Sequence, residues 1–490
     1  MSLLQSNPPS ARHLMNSMRS MGYSFESAVA DIIDNSITAK ATQVILSFPT
    51  DPNYCFVSIC DNGYGMSKYT LYEAMKYGSA VNEVRDSSDL GRFGLGLKSA
   101  SLSQCKKLTV VSKFEGKLNS FAWDIDLVGE DWLIQELSDE EIEELPNIST
   151  LKNFEHGTLV IWENFDTIEK STGFVFTTLS EYMDSTANYL SLIFHRFLNG
   201  EANIPFSIKV NNYELKGLDP FLEKHNKTNH RKEIYIPIKD SEGVEQMVIA
   251  KPFVLPFQKD LSKEDQKLMG GIDSYSTKQG FYVYRNLRLI IWGTWFRMRP
   301  RNELTKHARI RVDIPNSLDD IWCIDIKKQN AVLPNSCKHQ LIKAVEEAMD
   351  IAVKAQRFRG RIDNPNSKIE YIWNKMDGRE GKKFYKINRS HRLFDLLDNV
   401  NDADRNKFEI ILDEIEQNIP YQQIYLDMCD HVIDDVVDDE RINEIENEAR
   451  LLIHYSLKIS SQSKEEIIEK LFNAEPFCKY PNIKKKIIEE

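Results

Sequence analysis

The first clear apolar period along the chain is helical. Phe25, Ala28, Val29, Ile32, Ile33 and Ile37 recur at the three-and-four spacing of one buried stripe. Ser24 stands where an N-cap belongs. Asp31, Asp34, Asn35 and Thr38 follow at i, i+3, i+4 and i+7, so they share the opposite face. Short runs with strand character come next, over residues 42–48, 56–60, 108–114, 120–125 and 157–163. Between the second and third of these lies a stretch rich in Gly and Ser, residues 77–103. One helix, then strands broken by glycine-rich loops, predicts an α+β fold with helices on one face of a mixed sheet. The acidic tract 138–144 reads as a solvated insertion.

A second unit is predicted from about residue 205 to 356, with strand-like segments at 206–210, 233–238, 246–250 and 280–292 and a closing amphipathic helix over 339–357. The stretch 357–366 interrupts that pattern with Gly360 and Pro365 and reads as a linker. Residues 367–490 are mostly helical by pattern and carry an acidic run from Asp427 to Glu448. The predicted division is therefore 1–200, 201–357 and 358–490.

Composition narrows the class without naming it. No apolar run approaches the roughly 20 residues of a membrane helix, and the first residues lack the pattern of a signal peptide. Seven cysteines, an odd number with no CxxC pair, suit reduced thiols and a cytoplasmic location. A formal charge of −12 excludes an overall basic coat but leaves room for a local basic patch.

Three segments carry candidate chemistry. Asp31 and Asn35 lie one turn apart on the polar helix face. A carboxylate there can activate a water, and the amide oxygen can ligate a hard cation such as Mg²⁺; a solvated face is the alternative. The run Cys60-Asp61-Asn62-Gly63-Tyr64-Gly65-Met66 follows a strand directly. An acid at a strand end can accept a hydrogen bond from an exocyclic amine while two glycines turn the chain over a flat ring. The alternative is the DNG turn of a hairpin. The third segment, Leu90 to Ser101, opens a helix with Gly91, Gly94 and Gly96. Glycines let backbone N–H groups approach phosphate oxygens, the helix N-terminus adds a favourable dipole, and Lys98 can reach a phosphate as a point charge. A dinucleotide fold would place such glycines after the first strand with an acid about 20 positions on, and a P-loop would read GxxxxGK[ST]. This chain has neither.

In this order the segments resemble the N-box, the DxGxG box and the second glycine box of the GHKL, or Bergerat, nucleotide-binding fold. That superfamily includes gyrase, MutL, the ninety-kilodalton heat-shock chaperones and histidine kinases. His156-Gly157-Thr158-Leu159-Val160-Ile161 is similar to its Thr-bearing strand. The resemblance implies a two-layer α/β sandwich with ATP and Mg²⁺ as cofactors. It implies Asp61 and Thr158 at adenine, Gly63, Gly65 and Met66 lining the base pocket, and Asn35 on Mg²⁺. Gly91, Gly94, Gly96, Leu97 and Lys98 would surround the phosphates, under a lid formed by about 67–93. A carboxylate at position 31 points to water as the acceptor, hence an ATPase and not a histidine kinase, for which the residues before the N-box are too few. Relatives usually carry Glu where this chain has Asp31, so hydrolysis is expected to be slow. Thr38 stands where MutL-like proteins have Asp.

The second unit resembles the transducer domain of this class, which sends a lysine to the γ-phosphate. Lys328 is the expected residue, with Lys327 next; an exposed pair at a strand end is the other reading. The Gly280 to Trp295 stretch is similar to the strand pair of bacterial MORC-like ATPases. That likeness implies ATP-driven closure of a homodimer acting on DNA, in bacterial antiviral defence or DNA processing; a chaperone-like ATPase remodelling protein clients is the alternative. Arg297, Arg299 and Arg301 alternate, and with Lys306, Arg309 and Arg311 face the single acid Glu303. On a strand they would form a stripe able to neutralise DNA phosphates; internal pairing with the acid-rich remainder is the other account. The acidic C-terminal run suits an unidentified protein partner, and 385–391 reads as a surface loop.

Overall fold

The structure, a computed structural model, describes residues 10–20, 22–76, 96–128, 132–271, 273–298, 301, 305–323, 333–334, 336–338, 340–343, 345–346, 369–377, 383–397, 400–421, 423–424, 439–459 and 462–489. The chain divides into two compact units, 1–356 and 357–490.

The first unit is built on an eight-stranded sheet. Its strands are β1 (Gln43–Ser47), β2 (Val57–Asp61), β3 (Lys107–Phe114), β4 (Lys117–Asp124), β5 (Gln135–Glu136), β6 (Gly157–Glu163), β7 (Ser207–Val210) and β8 (Tyr213–Glu214). They lie in the order β5-β4-β3-β6-β2-β1-β7-β8, antiparallel except for the parallel pair β1–β7. This is the mixed α+β sheet expected. The segment expected to open the second unit is instead β7, a member of the first sheet. Its alternating Ile208 and Val210 are buried in the same core as Val44 and Leu46 of β1, and period-two burial fixes that register.

Alternation along the central strands explains the layering. Val57, Ile59, Val160 and Trp162 face the main core, whereas Cys60, Leu159 and Ile161 face a smaller one. The main core is closed by α1 (Ala11–Arg19), α2 (Phe25–Thr38), α3 (Lys68–Met75), α4 (Gly96–Gln104) and α5 (Val175–Ile193). Ser24 caps α2 by accepting from Ser27 N. Phe25 anchors α2 edge-on to Trp162 at 5.7 Å and stacked on Tyr182 at 4.9 Å. The tract 138–144 is exposed at every position but Ile142. Ser138 and Glu141 form a capping box that starts a short helix, and its Ile142 enters the smaller core beside Leu151.

The second sheet has six strands, β9 (Asn229–His230), β10 (Ile234–Lys239), β11 (Glu245–Val254), β12 (Gly280–Arg285), β13 (Arg288–Thr294) and β14 (Ala308–Ile314). Their order is β10-β11-β14-β12-β13, with β9 paired to β11. β12 is buried on both faces: Phe281 and Val283 face this sheet's own core, while Tyr282 and Tyr284 join the main core of the first sheet with Phe221 and Phe253. Side chains alternating to opposite faces thus let one strand belong to two cores. Arg285 at the end of β12 holds Asp319 through two hydrogen bonds of 2.7 and 2.8 Å, both side chains buried. The described residues of the expected closing helix are helical over parts of 336–346.

The second unit carries a hairpin of β15 (Trp373–Asp377) and β16 (Lys383–Ile387) as well as helices at Asp402–Gln417, Asp439–Ile459, Lys464–Leu471 and Pro481–Glu489. Ile445, Leu452, Ile467, Leu471, Phe477 and Ile483 form its core. The stretch 385–391 is not a free loop: it begins in β16, its Arg389 pairs with Glu409, Asp413 and Glu416 of the Asp402–Gln417 helix, and His391 is buried. No helix among the described residues is long and apolar enough to cross a membrane.

Breaking a buried ion pair leaves an uncompensated charge, so Asp319→Ala is expected to lower the unfolding free energy by about 3 kcal/mol, read from the urea midpoint at unchanged slope.

Candidate functional site

The site is built around the end of β2. All five residues of that strand are buried, and the last, Asp61, stands opposite Thr158 of β6. Asp61 Oδ1 accepts from Gly63 N and Oδ2 from the Ser36 hydroxyl, each at 2.8 Å. Burial holds the Asp61 carboxyl above its ordinary value, against the pull of the hydrogen bonds from Gly63, Ser36 and the Thr158 backbone. Because Ser36 follows Asn35 on α2, the same bond ties that helix to the strand end.

The glycines that follow do not turn a hairpin, since β2 pairs with β1 and β6 while the chain runs on to α3. They permit close packing. A Cβ on Gly65, at φ +66°, would lie 2.1 Å from the Lys113 carbonyl oxygen, and one on Gly157 would lie 2.1 Å from that of Asp61. Met66 N donates to Ser112 Oγ at 2.8 Å, and that hydroxyl donates to the Gly157 carbonyl at 3.0 Å with Thr158 Oγ1 at 3.1 Å. His156 Nδ1 bonds the Gly63 carbonyl. Ser36 and Ser112 thus brace the site from outside the sequence motifs. Ordinary polar residues on a helix and a strand carry no signal of which strand end they meet.

The polar face of α2 is mostly not solvated. Asp31 is 3% and Asp34 0% exposed, whereas Asn35 is exposed. Asp31 Oδ2 accepts from the Tyr23 hydroxyl at 3.0 Å. Arg288, from β13, brings Nε to 2.7 Å from Asp34 Oδ1 and Nη2 to 3.6 Å from Asp31 Oδ1. Burial disfavours the Arg288 cation, but Asp34 and Asp31 outweigh it and hold the group above its ordinary value. The first residue of α4 completes this corner: a Cβ on Gly96 would come within 4.0 Å of Asp31 Oδ2. Leu97 packs against the main core. Lys98 is buried, and its amine donates to the carbonyls of Ala74 and Lys76, at the end of α3, at 2.8 and 2.6 Å. Burial pulls its pKa down to about 8.

The structure therefore gathers Asp31, Asn35, Asp61, Gly63, Gly65, Met66, Gly96, Leu97, Lys98 and Thr158 around α2, the ends of β2 and β6, and the start of α4. Gly91, Gly94, Lys327, Lys328 and most of the expected lid lie outside the described residues.

Residues 23–158, which contain all ten gathered positions, match the model of a family described as Histidine kinase-, DNA gyrase B-, and HSP90-like ATPase. Residues 23–158 are thus similar to the GHKL class of nucleotide-binding domain. The chain is also similar to two MORC ATPases. Over 90 residues it is 31% identical to ATPase morc-1 of Caenorhabditis elegans, covering 18% of this chain and 10% of that protein. Over 98 residues it is 29% identical to ATPase MORC2B of Mus musculus, covering 19% and 9% respectively. The matched stretch thus spans about a tenth of the length of these curated relatives.

Beyond the GHKL-like domain, the cationic stripe is not a strand. Trp295 to Met298 is a turn in which Arg297 has φ +58°, and a left-handed residue breaks the alternation that would align Arg297 with Arg301. Arg299 lies outside the described residues. Arg301 is exposed and donates to the Gly293 carbonyl at 2.7 Å. Arg309 and Arg311 belong to β14 and are buried. Arg309 donates to the Ser274 and Lys306 carbonyls, and Arg311 pairs with Asp313 at 3.2 Å and Glu223 at 3.4 Å. Internal pairing accounts for these two.

Adding a side chain at Gly65 combines a clash with a left-handed backbone, so Gly65→Ala is expected to cost about 2 kcal/mol or more in a denaturant titration, whereas Gly116→Ala, with open space around its Cβ position, costs about 1.

Proposed function

We propose that the GHKL-like domain binds ATP with Mg²⁺ and hydrolyses it slowly, with Asp31 as the base that accepts a proton from the attacking water. The observation that carries this reading is the convergence of four separated segments on one corner, with a buried acid at its floor and an exposed amide oxygen at its rim. The donor chemistry fits the ligands. Asp61 retains acceptor capacity beyond its bonds from Gly63 and Ser36, which suits an exocyclic amine. Asn35 offers an exposed neutral oxygen, and Mg²⁺ commonly takes one or two protein oxygens plus phosphates. When bound, Mg²⁺ would neutralise phosphate charge. Gly96, at the N-terminus of α4, presents backbone N–H groups beside Asp31, where a phosphate and its water would meet the base.

Lys98 is the residue that must choose. Its amine is held by two carbonyls at the end of α3 and carries a depressed pKa, so contact with a phosphate would draw it back toward full charge. Lys328 is the proposed second cation at the γ-phosphate. Closure of a homodimer around DNA is the proposed use of the cycle. Among the described cations of the 297–311 stretch, Arg297 and Arg301 are exposed and support it, whereas Lys306, Arg309 and Arg311 are buried. ATP-dependent retention on circular but not linear DNA is the expected mark of such a clamp; equal release from both would refute it.

Two measurements test the chemistry. Asp31→Asn is expected to bind ATP normally and to lose about 100-fold or more in kcat, while Asp61→Asn, which loses a charged acceptor, weakens ATP binding by about 10- to 100-fold. An Asp31→Asn protein that hydrolyses at the wild-type rate removes Asp31 from the role. Calorimetry at pH 8 in two buffers of different ionisation heat should show ATP binding taking up roughly half a proton. The sign follows from the bound pKa exceeding the free value of about 8. The uptake should vanish in Lys98→Met; unchanged uptake there would exclude Lys98 from the phosphates.

A further inference from the structure

Arg288 lies far outside the GHKL-like domain in sequence, yet it is 1% exposed against the helix that bears Asp31. It opens β13 after a two-residue turn in which Asn286 and Leu287 have φ of 47° and 69°. A left-handed leucine costs about 1–3 kcal/mol and persists where packing over-determines it. Leu287 is packed against the main core, which fixes the tip of the hairpin. The two arginines flanking this turn grip two places. Arg285 holds Asp319 through both carboxylate oxygens, and Asp319 belongs to the turn that runs into the segment containing Lys327 and Lys328. Arg288 reaches the other way, its guanidinium 2.7 Å from Asp34 and 3.6 Å from Asp31, with the Phe194 ring 5.8 Å from Cζ.

We propose that Arg288 is a positioning residue for Asp31. It meets both buried carboxylates and binds Asp34 more closely, so that the second sheet fixes the orientation of Asp31 on α2. The inference rests on the reading of Asp31 as the base. Two tyrosines also meet this corner: Tyr23, before α2, donates to Asp31, and Tyr189, on α5, lies near Arg288. Arg288 is distinguished from them by approaching both carboxylates. Without it, two buried carboxylates one turn apart would lose the cation that meets both, and Asp31 would lose its fixed orientation.

The test uses the full chain with Arg288→Met, Arg288→Lys, the double variant Arg288→Met/Asp34→Asn, and Asp31→Asn as the marker of the base. Nucleotide affinity, kcat and thermal unfolding are measured on each. Arg288→Met is expected to lower kcat at pH 7 by about 10- to 100-fold while changing the ATP Kd by less than about threefold. The double variant, which removes one acid along with the cation, recovers most of the lost kcat, and Arg288→Lys recovers part. If Arg288→Met does not fold, the double variant and Arg288→Lys carry the same comparison against wild type. A parallel fall in kcat and affinity, or a double variant no better than Arg288→Met, shows a packing role and overturns the inference. If wild type fails to hydrolyse ATP, or Asp31→Asn is fully active, the reading of the base fails, and this inference with it.

Discussion

Asp31 and Asp34 sit buried one turn apart on α2, and placing two carboxylates in a dry core costs several kcal/mol per ion unless a cation meets them. Arg288, itself buried, comes from the second sheet to meet both. That single requirement orders much of the first unit. It obliges β12 and β13 to approach the first sheet closely, and Tyr282, Tyr284 and Leu289 fill the apolar contact that the approach creates. The helix is buried over most of its length, with α4, α5 and β2 packed against it and Arg288 meeting its acids.

The end of β2 is organised by a different constraint, the need to turn the backbone where strands and a helix crowd together. Gly63, Gly65 and Gly157 let the chain pass within distances that any Cβ would violate. Asn62 then fixes the turn by accepting from the Thr42 and Gln43 backbone N–H groups, both at 2.9 Å. Asp61 is thereby held at one spot by main-chain geometry, with Ser36 and Thr158 completing its surroundings. A rigid floor of this kind suits recognition of a flat ring, because little ordering remains to be done on binding. Lys98 contrasts with it: a long side chain resting on two carbonyls can exchange partners without disturbing the sheet.

Charge placement separates surface from interior in a way composition alone conceals. A chain of net charge −12 nonetheless buries Arg285, Arg288, Arg309 and Arg311. Each is matched by carboxylates or carbonyls, as a guanidinium with its fixed fork of donors permits. Cations clustered in sequence between 297 and 311 are therefore divided in space, those of the turn facing solvent and those of β14 bracing the second sheet.

What the amino-acid sequence determined by itself was local. The apolar stripe from Phe25 to Ile37 and the Ser24 cap specify α2, alternating Val, Ile and Leu specify the central strands, and the ordered Asp31–Asn35, Asp61–Gly65 and Gly91–Lys98 motifs mark the class of site. These signals need only neighbours a few residues apart, where periodicity and backbone preference act. Only the tertiary structure decided that β7 joins the first sheet, that Ile142 seals its second face, that Ser36 and Ser112 brace the floor, and that Arg288 answers Asp31. Each of these pairs residues far apart along the chain, and Arg288 stands more than 250 positions from its acids. Such a meeting is set by which strands pair and which charges must be neutralised once water is excluded, and neither leaves a periodic trace along the sequence.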